Sequence, residues 1–344
     1  MKQILKDKKI LLLGGPGGVG KTTLAAAIAV HSAQMGYRTV VLTVDPARRL
    51  AQALGMNQFQ DELQKVPLRN HPEASLHASM LDTQRYLDKI VERFATNPSQ
   101  REKILANPLY RSMVDSLGGT TEYAAMERLL EFVNDPRFDK IIVDTPPTQN
   151  AIDLLSAPER MAAFMDNSVF RWFQGKTPKY FSFFKQGTKL VMKMLQTIFG
   201  SDFLNRLAEL FEQLEGMQAG FRSRHLEVMR LLQGPSAAFI LVTFPSQARF
   251  EESVAFLKAL DEFQVPLSGV VLNRVEPEVP FVAEASTELN AILDYYRKLH
   301  EQQQEWVNEF HGALGKTPCQ VVPRRTTTIH DTEALSDLAR AVVS

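Results

Sequence analysis

The sequence predicts an α/β fold: a doubly wound, mostly parallel sheet with an inserted helical subdomain. Seven strand-like runs recur, at Lys9–Leu13, Thr39–Val44, Ser75–Met80, Lys140–Val143, Ala238–Thr243, Gly269–Leu272 and Gln320–Val322. Several are apolar throughout rather than alternating, as expected of strands whose sheet is covered by helices on both faces. Helical patterns lie between them, the rhythm of successive βαβ units. Two stretches interrupt that rhythm. Asp82–Val133 is helical in pattern with Pro98 and Pro108 as breaks, and Pro158–Gln233 holds no strand candidate and is rich in Phe and Met. The organisation expected is one domain over residues 1–344, with a helical subdomain at 158–233 inside it.

The first run breaks into Gly14-Gly15-Pro16-Gly17-Gly18-Val19-Gly20-Lys21-Thr22-Thr23. This is G-x-x-x-x-G-K-[ST] in its required setting, after a strand and before a helix, and it predicts a P-loop NTPase. Gly15, Gly17, Gly18 and Gly20 permit backbone angles that other residues resist and let the loop approach phosphates closely. The backbone from Gly15 through Val19 to Thr23 is the expected cradle. Lys21 would reach the β- and γ-phosphates, and the Thr22 hydroxyl would sit on Mg²⁺. The helix from Thr22 to about Met35 aims its positive end at the same place. ATP and Mg²⁺ are the expected ligands; a mere glycine-rich turn would not need this lysine, threonine and helix together.

Three later motifs fall at the C-terminal ends of strands, where an open α/β sheet places its ligand. Thr39–Val44 runs into Asp45-Pro46-Ala47-Arg48-Arg49-Leu50. Asp45 there can orient an attacking water or accept its proton, which makes Asp45 and Lys21 the catalytic candidates. Lys140–Val143 ends in Asp144-Thr145-Pro146-Pro147-Thr148, the Walker B arrangement, in which Asp144 is expected to hold Mg²⁺ through water. Gly269–Leu272 ends in Asn273, whose amide suits the Watson–Crick edge of adenine. Taken singly, Asp-Pro is a common turn starter, an Asp after a strand is often a helix cap, and a lone Asn is more often a turn residue. Their appearance in order behind a phosphate loop favours the functional reading. No N/T-K-x-D occurs, so a guanine base is not expected.

Composition narrows the partners. The chain has 39 Lys and Arg against 39 Asp and Glu, a formal net charge of zero, so no global field attracts nucleic acid. Hydrophobic residues at 44% and charged residues at 23% are ordinary for a globular protein. The single cysteine, Cys319, excludes an intramolecular disulfide. The apolar run Ile10–Leu13 is too short for a secretory segment, and no stretch is long enough to span a bilayer. A cytoplasmic location is expected, with peripheral membrane contact as a variant of it.

These segments resemble the ArsA-type ATPases, which include the arsenical pump-driving ATPase and the eukaryotic ATPase that targets tail-anchored membrane proteins. The family falls within the wider deviant-Walker-A group. The resemblance rests on GGPGGVGKTT at 14–23, TVDPARRL at 43–50, GGTTEYAAMERLLEF at 118–132, VDTPPTQNAIDLL at 143–155, VLNRV at 271–275 and VPRRTTTIHDTEAL at 322–335. It spans nearly the whole chain and looks like a bacterial branch. It implies that Asp45 is the catalytic carboxylate of a first switch, that Asp144 to Thr148 form a second, and that Asn273 and the segment from Pro323 contact adenine. It also implies an Mg²⁺-dependent ATPase whose cycle opens and closes a dimer, with its output to a membrane-protein client or membrane transporter.

The departures from the family are specific. Its phosphate loop carries a second lysine where this chain has Pro16, and the resemblance assigns that lysine to the partner's phosphates across the dimer, as an arginine finger acts. Either Arg48, Arg49, Arg324 or Arg325 compensates, or the chain is a weak hydrolase, or a lysine-bearing paralogue completes the site in a heterodimer; a homodimer stays open. The alternative function is a nucleotide-gated binding module with little intrinsic hydrolysis, one half of such a heterodimer. The Cys-x-x-Cys that binds zinc and the cysteine trio that binds arsenite in relatives are both missing, so neither cysteine site is expected. In the targeting ATPase a Met-rich helical groove holds the client, and 158–233 falls where it would be. Met and Phe at helical spacing more often pack a core, and the core reading leads.

Overall fold

Five consecutive buried residues, Ile-Leu-Leu-Leu-Gly, make β1 (Ile10–Gly14) a strand with both faces covered. β2 (Thr39–Thr43), β5 (Lys140–Asp144) and β6 (Ala237–Thr243) are buried along their whole length in the same way. With β3 (Leu63–Lys65), β4 (Leu76–Met80), β7 (Leu267–Val275) and β8 (Cys319–Pro323) they form one sheet in the order β3-β4-β2-β5-β1-β6-β7-β8. All pairings are parallel except β3 with β4. The doubly wound, mostly parallel α/β fold expected from the sequence is the fold observed. Among the described residues, the strand the sequence did not announce is β3, three residues long and partly exposed, an antiparallel edge too short and polar to leave a pattern. The computed structural model describes residues 1–44, 49–56, 63–116, 120–145, 155–156, 200–214, 217–280 and 286–343.

The described residues fall into two compact units. One comprises Met1–Leu81, Arg128–Leu155 and Met229–Ser344, and the other Asp82–Glu127 and Ser156–Val228. The first holds the sheet. Its helix α2 (Lys21–Gln34) buries ten of its residues, among them the run Ala25–Ala29. A helix apolar on all sides must be enclosed on all sides. The sheet covers part of it, and a much later helix, Thr332–Val343, packs Leu335, Leu338, Ala339 and Val342 into the same core.

In the second unit the prolines read as breaks turn out to be beginnings. With α1 at Lys2–Asp7 and α3 at Arg49–Ala53, the helices that lie here wholly or in part are α4 (Thr83–Phe94), α5 (Pro98–Ala106), α6 (Pro108–Ser116), α7 (Thr120–Asn134), α8 (Ser201–Leu214) and α9 (Gln218–Gln233). Pro98 and Pro108 are first residues, where a missing N–H costs nothing and a fixed φ suits the helix. Asn97 caps α5 by accepting from the Gln100 N–H at 2.9 Å, and Asp82 caps α4 through the Arg85 N–H at 3.0 Å. Ile90, Ile104, Tyr123, Leu210, Met217 and Phe221 meet in the unit's core. Met217 and Phe221 of the Phe/Met-rich stretch therefore pack inward, whereas Phe203 stands 36% exposed; residues 157–199 of that stretch lie outside the described residues.

The same core encloses a charged group. Glu127 accepts from Arg224 Nη2 at 2.9 Å, Arg93 Nη1 at 3.3 Å and the Tyr123 hydroxyl at 3.1 Å. Burial, reinforced by the neighbouring Glu127 carboxylate, holds the Tyr123 phenol protonated far above its ordinary range. Tyr123 thus stays a donor at every pH the fold survives.

Candidate functional site

The phosphate loop begins where β1 runs out. Gly15 adopts φ 147°, and a Cβ built on it would stand 1.9 Å from the carbonyl oxygen of Val242 on β6. Only glycine lets the loop lie that close to the neighbouring strand. Gly20 closes the loop at φ 95°, and α2 starts on Lys21, one residue earlier than the sequence suggested. No side chain caps the helix, so its leading N–H groups are available to an anion. Gly17 and Gly18 are exposed at the tip, while Pro16 and Val19 are buried.

Lys21 Nζ donates to the carbonyl oxygens of Gly15 and Pro16, both at 2.9 Å. The side chain is folded back over the loop and is 8% exposed. Carbonyl oxygens are weaker partners for a buried ammonium than anionic phosphate oxygens. Thr22 and Thr23 follow, both half-buried in the first turn of α2.

Asp144 ends β5 level with Leu13 of β1 on one side and Thr43 of β2 on the other. Its carboxylate is 1% exposed and accepts from the Thr43 hydroxyl at 3.0 Å. The Thr145 hydroxyl donates to the Leu13 carbonyl at 2.7 Å, tying the start of the next segment to β1. A buried carboxylate one strand from a threonine-bearing helix start is a set of hard oxygen donors, which fits Mg²⁺. The fold therefore brings Gly15, Gly17, Gly18, Val19, Gly20, Lys21, Thr22, Thr23 and Asp144 to one end of adjacent strands. Asp45, Arg48 and residues 146–154 lie outside the described residues.

A cleft of about 590 Å³ opens beside the loop, lined by Gly20, Thr23, Phe244, Asn273, Arg274 and Pro323 among others. Asn273 and Pro323, both named from the sequence, thus share one cavity with the loop. Asn273 Nδ2 donates to the Val19 carbonyl at 2.7 Å, so its amide nitrogen is committed to the phosphate loop. A Cβ on Gly20 would meet that nitrogen at 2.5 Å, a second reason for glycine there. Two arginines considered as stand-ins for the missing lysine are occupied in this cleft. Arg324 Nη1 donates to the buried Glu276 carboxylate at 2.5 Å, and Arg325 Nη2 to the Asp337 carbonyl at 2.6 Å. Arg49 is exposed at the start of α3.

Phe244, Glu276 and Arg274 are among the wall residues that sequence reasoning did not pick out. Arg274 owes its place to an irregularity in the sheet. β7 and β8 pair Leu272 with Val321 and Val275 with Pro323, so Asn273 and Arg274 together oppose one residue of β8. That is a β-bulge, and Arg274 takes φ 56°, in the left-handed region usually left to glycine at such a position. The local cost for an L-residue is about 1–2 kcal/mol. The signal available was the Asn-Arg pair itself, which breaks an apolar run with two polar residues in succession.

The family model for anion-transporting ATPases matches residues 8–344. The chain belongs to that family. It is an ATPase of the ArsA type. The ArsA-type chain is 27% identical to ATPase GET3B of Arabidopsis thaliana over 288 residues, covering 78% of this chain and 65% of the relative. It is 23% identical to ATPase ASNA1 homolog 1 of Paramecium tetraurelia, over 91% of this chain and 88% of the relative. It is 24% identical to ATPase GET3 of Malassezia globosa, over 97% and 90%. The chain thus spans just under two thirds of GET3B and most of the other two.

Among the described residues of this ArsA-type ATPase no three His, Cys, Asp or Glu side chains gather into a metal-binding group of their own, and no helix is long and apolar enough to cross a membrane. Burial pushes the Cys319 thiol up to about 11. At pH 8 it is therefore expected to react slowly with iodoacetamide in the native chain and several-fold faster in denaturant. Equal rates in both states would contradict the burial. Arsenite is not expected to stimulate hydrolysis by this chain alone, because a tight arsenic(III) site needs several thiolates.

Proposed function

We propose that this ATPase is an Mg²⁺-dependent switch, with Lys21 and the Gly15–Thr23 backbone holding the phosphates and Asp45 acting on the attacking water. Thr22 and Asp144 would hold the magnesium, Asp144 through water, and Asn273 and Pro323 would border the adenine. Bound magnesium would neutralise charge between the terminal phosphates. The observation that carries the reading is the Lys21 ammonium, buried against loop carbonyls at the head of an uncapped helix, one strand from buried Asp144. In the proposed cycle, ATP binding and hydrolysis close and open a dimer. The resemblance to the pump-driving and tail-anchored-protein-targeting ATPases supports a membrane-protein client or a membrane transporter, and the protein serving it would be cytoplasmic. Residues 158–233 would be the subdomain inserted into a single ATPase domain for that purpose.

The test separates the two carboxylates. Asp45→Asn is expected to retain ATP affinity while hydrolysis falls, because a water-orienting group is lost and no phosphate contact. Asp144→Ala is expected to weaken binding only when Mg²⁺ is present. The assignment fails if Asp45→Asn loses binding while turnover per bound ATP stays intact.

A second reading, that the isolated chain is a poor hydrolase needing a lysine-bearing paralogue, draws on Pro16. Pro16 supplies no charge, and Arg324 and Arg325 are held by Glu276 and Asp337. An arginine finger contributes on the order of 10³–10⁵ in rate. Single-turnover hydrolysis by the isolated chain should be slow by a comparable factor and should rise on adding the paralogue. Brisk turnover by the isolated chain, lost in Arg49→Ala, would instead place the compensating charge on Arg49.

A further inference from the structure

We propose that Arg274 is a base-holding residue of the nucleotide cleft, its guanidinium lying over the face of the purine. The inference rests on the cleft being the nucleotide site and goes beyond it by giving a role to a residue outside the phosphate, metal and water machinery. Three facts converge on Arg274. It lines the cleft with apolar Phe244, Pro323 and Ile329, which suit a flat aromatic ring. It follows Asn273, whose amide is tied to Val19 of the phosphate loop at 2.7 Å. The bulge between β7 and β8 therefore delivers Arg274 beside the loop's far edge, at φ 56°.

The other cleft arginines have work within the protein. Arg324 is paired with Glu276 and Arg325 with the Asp337 carbonyl. Among the described residues no hydrogen bond or ion pair engages the Arg274 guanidinium. A residue whose backbone is kept in a conformation that favours glycine, with no polar contact among the described residues to repay it, points to repayment by a ligand. A planar, weakly hydrated guanidinium stacks well on an aromatic face, whereas an ammonium does so less effectively.

Arg274→Gly is the informative change, because glycine suits the bulge. The folded state should be as stable as the wild type or more so, read as an unchanged or raised Tm of the full chain. Affinity for ADP, titrated by calorimetry, should fall about 3- to 30-fold, the size of an exposed to desolvated cation–π contact. Arg274→Lys should fall between the two. Inorganic tripolyphosphate, which has no base, should compete equally well in wild type and Arg274→Gly. Unchanged ADP affinity in Arg274→Gly would overturn the proposal, as would an equal loss for tripolyphosphate, which would put the guanidinium on the phosphates. Wild-type chain that bound tripolyphosphate but not ADP would overturn the nucleotide reading of the cleft itself.

Discussion

Lys21→Ala is expected to weaken ATP binding by two orders of magnitude or more. The wild-type ammonium is 8% exposed and lies on the carbonyls of Gly15 and Pro16 at 2.9 Å. Exchanging those neutral oxygens for phosphate oxygens turns hydrogen bonds charged at the donor alone into bonds charged at both ends, and a bond to a charged group is worth about 1.5–3 kcal/mol. Two such bonds are worth at least about 3 kcal/mol in a site this dry. Alanine also deletes the tie that folds the loop over itself, so the ligand-free chain should lose stability as well, by about 1–2 kcal/mol. The two effects separate experimentally. Calorimetric titration with a non-hydrolysable ATP analogue reads the first, and urea denaturation without nucleotide reads the second. Lys21→Arg keeps the charge but puts a broad planar group where two carbonyls grip a point charge, so it should rescue little. Wild-type affinity in Lys21→Ala would remove Lys21 from the phosphate site.

Glu127→Ala is expected to cost the helical unit about 3 kcal/mol. The Glu127 side chain is 3% exposed and accepts from Arg224, itself 16% exposed, at 2.9 Å. Removing one member of a buried pair leaves the other uncompensated, typically about 3–5 kcal/mol. The lower end applies because Arg224 keeps Glu227 at 2.8 Å, and Arg93 is 43% exposed and can turn to water. Tyr123 also loses its acceptor in the unit's core. Glu127→Gln retains one acceptor oxygen and should cost less. By contrast, breaking the exposed Arg206–Asp202 pair should change almost nothing. Hydrogen exchange gives the cleanest reading, since the loss should appear as faster exchange in α4, α7 and α9 with β1, β5 and β6 unchanged. Uniform acceleration across the sheet, or none, would contradict it.

The sheet and the loop were legible because they depend on short-range rules. A wholly apolar run, a glycine cluster and a Lys-Thr pair each declare themselves within about fifteen residues. β3 was invisible for the opposite reason: Leu63–Lys65 is a strand only because it pairs with β4 from Ser79 to His77, and its own composition would suit a loop. The prolines at 98 and 108 were visible but admit two meanings, an end or a start, and only the cap at Asn97 decides for α5. In the site, Asn273 was recognisable as a polar residue closing a strand. That its nitrogen is spent on Val19 depends on two segments 254 residues apart. The Asn-Arg pair at 273–274 marked an interruption of the apolar run, but that the interruption is a bulge depends on the register of β8. The charged cluster around Glu127 escaped for the same reason, since its partners come from three separate helices.

The seam between α2 and the late helix at Thr332–Val343 bears on how the protein is born. Ser336 reaches Gln34 across 302 positions of sequence, its hydroxyl donating at 2.9 Å, and Leu338 belongs to both that seam and the wall of the cleft. During synthesis the alanine-rich helix that carries Lys21 must wait for the 302 positions that separate Gln34 from Ser336 before that side is sealed. Until then a ribosome-bound nascent chain carries a complete glycine loop on an unsupported helix. Contacts this remote in sequence form late and slowly. Competence to hold nucleotide is therefore expected to follow the arrival of Thr332–Val343 rather than the making of the motif itself.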